Sequence, residues 1–143
     1  MKTKNFKAMG AAVALLLGMG ISSSAQAFVA SGSLGVSPVA TDVMTFNCPA
    51  GTASVRGQIG DVAPGAVPLV RLGLSGPGIM PTVQAPQEGV SIVVGLVPTG
   101  PGTHWAVVTK DSIGGDNYTV NINCYNAAGV ILPASGIALT QNQ

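Results

Sequence analysis

Asn117–Tyr125, NYTVNINCY, sets Tyr118, Val120, Ile122 and Cys124 at every second position, with Thr119, Asn121 and Asn123 between them. A period of two describes a half-buried β-strand, here with a cysteine closing its apolar row. The other cysteine, Cys48, ends TDVMTFNC, in which Met44, Phe46 and Cys48 share one parity. The simplest arrangement faces both rows into one core and joins the cysteines inside it.

Outward from this pair, the chain begins with a segment that reads as a secretory signal peptide over residues 1–27. Lys2, Lys4 and Lys7 precede the apolar run Ala8–Ile21, and Ala25-Gln26-Ala27 offers the small residues a signal peptidase reads, with cleavage between Ala27 and Phe28. The apolar run is short of the roughly 20 residues that cross a bilayer, and no basic stop follows it, so no transmembrane segment is expected after cleavage. A secreted, periplasmic or cell-surface location follows.

Cleavage leaves 116 of the 143 residues, enough for one domain. It also reverses the sign of the charge. The precursor carries +1, whereas the mature region has Arg56, Arg71 and Lys110 against Asp42, Asp61, Glu88, Asp111 and Asp116, a formal −2. No basic field remains to attract a polyanion, which argues against nucleic acid as a partner.

Short apolar blocks separated by Gly and Pro favour many strands over helices. The expected fold is all-β: a single antiparallel β-sandwich of about 7–9 short strands over residues 38–143, preceded by a flexible or edge-pairing leader, Phe28–Ser37. Thr41–Cys48 runs into the turn Pro49-Ala50-Gly51 and then Thr52–Ile59, which suggests a hairpin. Pro68–Ser75 reads as a central strand. Ile79–Ala85 contains Pro81 and fits only an edge or a bulge. Gly89–Val97, His104–Thr109, Val130–Leu132 and Ile137–Thr140 supply the remaining extended segments.

Two cysteines in an exported chain pair unless otherwise occupied. Closing a loop of the 76 residues that separate them stabilises a domain by roughly 4.5 kcal/mol in the chain-entropy picture. A redox role would favour a close CxxC pair, which the sequence lacks.

His104 is the sole histidine, with no Ser elbow or acidic partner arranged around it, so no catalytic residue and no cofactor are assigned. After a Pro/Gly loop and beside Trp105 it is a candidate ligand contact at a binding rim, or an ordinary strand-edge histidine. Trp105 is either a core plug or a stacking platform. Tyr125 has the parity opposite to the core row and is the third candidate contact. His104 with Met44 and Met80 would make only a scattered imitation of a copper site. Asp111 and Asp116 flank a glycine turn, but two carboxylates are a fraction of the about six to eight oxygens calcium takes, so no metal ligand is assigned. Asn117-Tyr118-Thr119 is formally a glycosylation sequon, treated as chance.

TDVMTFNCPAG at Thr41–Gly51, the strand after it, PLVRLGLSG at Pro68–Gly76 and GGDNYTVNI at Gly114–Ile122 resemble, in that order, the bacterial pre-peptidase C-terminal domain family of secreted β-sandwich modules. The resemblance implies an accessory module, usually beside an enzyme, that assists secretion, substrate association or assembly without chemistry of its own. Some members bind calcium or an extracellular polymer. This chain shows no accompanying catalytic domain, and Asp42 is its only match to the aspartates around the first strand.

The expected function is therefore a secreted, non-catalytic binding or self-assembly module. Its expected partners are a second copy through an exposed strand edge, or an extracellular polymer or protein. A carbohydrate- or peptide-binding accessory protein is the alternative, with a small hydrolase or a metal-binding protein behind it.

Overall fold

A computed structural model describes residues 28–62, 68–75, 80–86, 89–90 and 94–141; the expected signal peptide, residues 1–27, lies outside them. Among the described residues ten strands form two antiparallel sheets, slightly more strands than the sequence suggests, because two of them are only three and two residues long. Among the described residues no helix is long and apolar enough to cross a membrane.

The organising stretch lies in β8 (Asp116–Asn126), whose burial alternates strictly along the Tyr118–Cys124 row. It is the inner strand of the first sheet. On one side it pairs with β3 (Thr52–Val62), which continues to β6 (Val94–Pro98). On its other side lie β1 (Phe28–Leu34), drawn from the leader, and β9 (Ile131–Leu132). The second sheet has the order β10 (Ser135–Gln141), β2 (Thr41–Cys48), β7 (Gly102–Lys110), β4 (Val70–Leu74), β5 (Thr82–Gln84). Pro81 precedes β5 at the edge of its sheet, where a missing amide donor costs no ladder bond.

The hairpin expected between Thr41–Cys48 and Thr52–Ile59 does not form. β2 belongs to one sheet and β3 to the other, and Pro49–Gly51 turns the chain between them. Gly51 takes a φ of +87°, and both the amide and the hydroxyl of Thr52 donate to the Pro49 carbonyl, at 3.3 and 2.7 Å. Three residues suffice because packed sheets lie only about 10 Å apart. β7 and β8 are split between the sheets in the same way. β3 also runs past Ile59, since Gly60, Asp61 and Val62 find partners in Thr119, Tyr118 and Asn117 of the long β8.

The inner faces interlock around Phe46, Met44, Val55, Ile59, Leu72, Val108, Tyr118, Val120 and Ile122, with Leu34 from β1. Burying side chains of this size contributes roughly 1.5–3 kcal/mol each. Cys48 and Cys124 are bonded across this core, Cα atoms 5.8 Å apart, tying an early strand of one sheet to a late strand of the other.

Candidate functional site

Trp105 stands near the middle of β7, which is flanked by β2 and β4. Its neighbours His104 and Ala106 point inward, so its own indole is left on the outer face, 53% exposed. It is therefore not a core plug. The backbone beneath it is fixed on both sides. Thr45 is its partner on β2, while its amide donates to the Ser75 hydroxyl at 2.8 Å and its carbonyl accepts from the Ser75 amide at 2.9 Å.

Among the described residues, the immediate neighbours of the indole on this face are uncharged and mixed. Val107 and Val43 are the next pair along β7 and β2. Thr103 donates to Asn47 at 2.6 Å on the other side. Across β4, the missing side chain of Gly73 leaves room that the half-exposed Met80 covers, its sulfur 2.9 Å from where a Cβ would stand. Arg71, further along β4, is held by Gln84 at 2.7 Å. Exposed aromatic surface flanked by threonine and asparagine can stack a flat, partly apolar group and hydrogen-bond its polar rim.

His104 does not share this face. It is buried against Phe46, ring centroids 5.6 Å apart. Its Nε2 meets the Gly100 carbonyl at 2.9 Å, which requires a donating N–H, and Nδ1 then accepts from the Thr99 hydroxyl at 3.3 Å. Both nitrogens are engaged in holding the loop before β7.

Tyr125 lies on the opposite side of the molecule, on the outer face of the first sheet, with the Arg56 guanidinium 4.7 Å over its ring. The three candidate contacts therefore occupy three separate environments, and the structure brings none of them together. Two depressions of about 460 and 190 Å³ also lie on the first sheet's outer face, either side of Thr119, lined by Ser31, Ser33, Asn117, Asn121 and Gln58 with valines between.

The flanking carboxylates of the Asp111–Asp116 turn diverge. Asp111 is exposed and accepts from the Leu69 amide at 2.9 Å, whereas Asp116 is buried and accepts from the Asn117 amide at 2.8 Å. Met44 is in the core and Met80 on the outer face, so they and His104 do not share a site. Among the described residues, no group of three or more His, Cys, Asp or Glu side chains is arranged to hold a metal ion.

One set of polar residues escaped the sequence reading. Asp42, Asp61, Lys110 and Asp116 are all buried near one end of the sandwich. Parity is the signal that would have found them: Asp42 shares a row with Met44 and Phe46, Asp61 with Ile59, Lys110 with Val108, and Asp116 with Tyr118. Asp42 accepts from the Tyr118 hydroxyl at 2.6 Å. Asp116 is pushed above the usual carboxylate range, first by burial and then by the neighbouring Asp61 carboxylate.

No protein-family model matches the chain, and no curated protein matches it. Among solved structures it is similar to the pre-peptidase C-terminal domain of a collagenase from Bacillus anthracis, at a TM-score of 0.48 and 18% identity, covering 67% of this chain and 88% of that one. That likeness is distant and touches the fold alone.

Proposed function

We propose that this chain is an exported, non-catalytic binding module that holds an extracellular polymer, a neutral glycan, against the Trp105 face. The half-exposed indole on a rigid central strand carries the reading. A pyranose ring offers an apolar face to the indole and hydroxyls to Thr45, Asn47 and Thr103. Among the described residues those beside the indole are uncharged, which suits a neutral chain better than an acidic one.

Retention of the exported protein in gels containing soluble neutral polysaccharides tests this. Trp105→Ala should lower retention about tenfold or more, the order of a lost stacking contact, with an unchanged unfolding midpoint. No retention by any polysaccharide, or equal retention of the variant, would overturn it.

A second reading, self-assembly, draws its support from one sheet edge. The outer edge of β1 is seven residues long, uncharged, free of proline and paired to β8 without a register shift. The other outer strands are defended: β10 is irregular, β5 is short, and β6 is irregular and ends in Pro98. Deleting Phe28–Ser37 would also remove buried Leu34, so the cleaner change is Val29→Lys with Ser31→Lys, both exposed. Light scattering on the parent and this variant should find an oligomer and a monomer; equal masses count against strand addition.

A further inference from the structure

The most exposed large apolar side chains among the described residues are Val39, Ile113 and Val36, at 75, 73 and 70%. They come from two connections, 35–40 between β1 and β2 and 111–115 between β7 and β8, which meet at one pole of the sandwich. The Gly114 amide donates to the Val36 carbonyl at 3.1 Å. Lys110, buried beneath, reaches carbonyls in both connections, Gly35 and Gly114. The first connection is further fixed by a turn in which the Ala40 amide donates to the Ser37 carbonyl at 3.0 Å, with Pro38 presetting the backbone inside it.

Burying an ammonium is costly unless it is well bonded, and this one ties two apolar loops together. The result is a braced set of aliphatic prongs with Ser37, Pro38 and Ser112 between them. We propose that this pole inserts into the interfacial layer of a lipid bilayer.

Area and charge favour a bilayer over a protein partner. Three aliphatic side chains on two connections fall well short of the roughly 1,000 Å² that a stable protein interface buries. A bilayer needs no complementary shape and rewards each buried aliphatic group independently. The one charged side chain exposed in these connections is Asp111. Nothing there draws the pole to anionic headgroups, so hydrocarbon burial drives the contact and a zwitterionic surface suits it. The pole is distinct from the Trp105 face, so the two contacts do not compete.

The test is co-sedimentation of the exported protein, its N-terminus verified by mass, with vesicles of phosphatidylcholine alone or mixed with phosphatidylglycerol. The parent should pellet with both and remain bound in high salt. Val36→Ser, Val39→Ser and Ile113→Ser combined should reduce pelleting about tenfold or more, while Trp105→Ala pellets like the parent. A parent that stays in solution, a triple variant that pellets equally, or binding confined to anionic vesicles and released by salt would each overturn the proposal. A second measurement is independent of the triple variant's folding. Ile113→Trp in a Trp105→Phe background should be quenched by brominated phosphatidylcholine, and unquenched emission would equally overturn it.

Discussion

The Tyr118 hydroxyl donates to Asp42 at 2.6 Å across the core, and the 76-residue offset between these two residues is the same as that between Cys48 and Cys124. β2 and β8 therefore run in the same direction, face to face, with one constant alignment. A hydrogen bond holds them towards the pole that carries the aliphatic loops, and a covalent bond holds them six residues further along each strand, about 20 Å away at strand spacing.

The Tyr118–Asp42 bond should be asymmetric in its energetics. The other carboxylate oxygen of Asp42 is buried without a hydrogen-bond partner, so Tyr118→Phe strips the group of its donor. The expected loss is about 1–3 kcal/mol in urea unfolding. Asp42→Asn keeps an acceptor and should lose less; equal losses would contradict this account. Burial, and then Asp42, push the Tyr118 phenol far above its ordinary value. Its neutral form belongs to the fold, so its stabilisation is full below the ordinary value of about 10 and lost as pH rises through the folded one. Tyrosinate absorbance from Tyr118 should appear only with alkaline unfolding.

Gly32 makes that bond possible. A Cβ at this position would lie 2.3 Å from the Tyr118 hydroxyl oxygen and 2.5 Å from the ring carbon bearing it. Gly32→Ala should displace the ring from Asp42 and cost about 1–3 kcal/mol, although alanine is otherwise an easy residue in an edge strand. An unfolding midpoint equal to the parent's would show that the ring moves freely.

Asp116 should make stability rise as pH falls. Burial and the Asp61 carboxylate raise its pKa, with the Asn117 amide and Lys110 opposing them. A raised carboxyl favours the protonated fold: this contribution is full below the unfolded value of about 3.9 and is lost as pH rises through the folded one. Asp116→Asn removes that dependence while keeping an acceptor for Asn117. In urea midpoints taken from acidic to neutral pH, the parent should gain on the variant as the solution is acidified. A constant difference would refute the assignment.

Replacing Cys48 and Cys124 together by Ser should cost up to about 4.5 kcal/mol, since the loop released is long. Against a typical net stability of about 5–15 kcal/mol, that is enough to bring the domain close to unfolding. Urea unfolding with and without reductant measures it; no shift on reduction would mean that the bond does not constrain the unfolded chain.

His104→Ala should act on stability and leave glycan retention alone, the opposite of Trp105→Ala. It removes the ring from Phe46 and from both loop contacts, with an expected loss of about 1–3 kcal/mol. Lost retention with an unchanged midpoint would instead make His104 a ligand contact.

The inward rows were decided locally. Met44, Phe46 and Cys48, and Tyr118, Val120, Ile122 and Cys124, alternate in sequence and are buried in the structure, so parity identified these two core rows, and the presence of just two cysteines identified the bond between them. Parity also marks Asp42, Asp61, Lys110 and Asp116 as inward, against what their chemistry suggests. It could not assign strands to sheets, because alternation relates a residue to its neighbour two along, whereas sheet membership depends on pairing between distant segments. That is why the apparent hairpin of β2 and β3 is a crossing between sheets. Nor could it orient Trp105: His104, Ala106 and Val108 form one row and Trp105 and Val107 the other, and both are apolar enough to bury. The packing of the first sheet against β7 selected the row of His104, and by covering that side it left the indole in solvent.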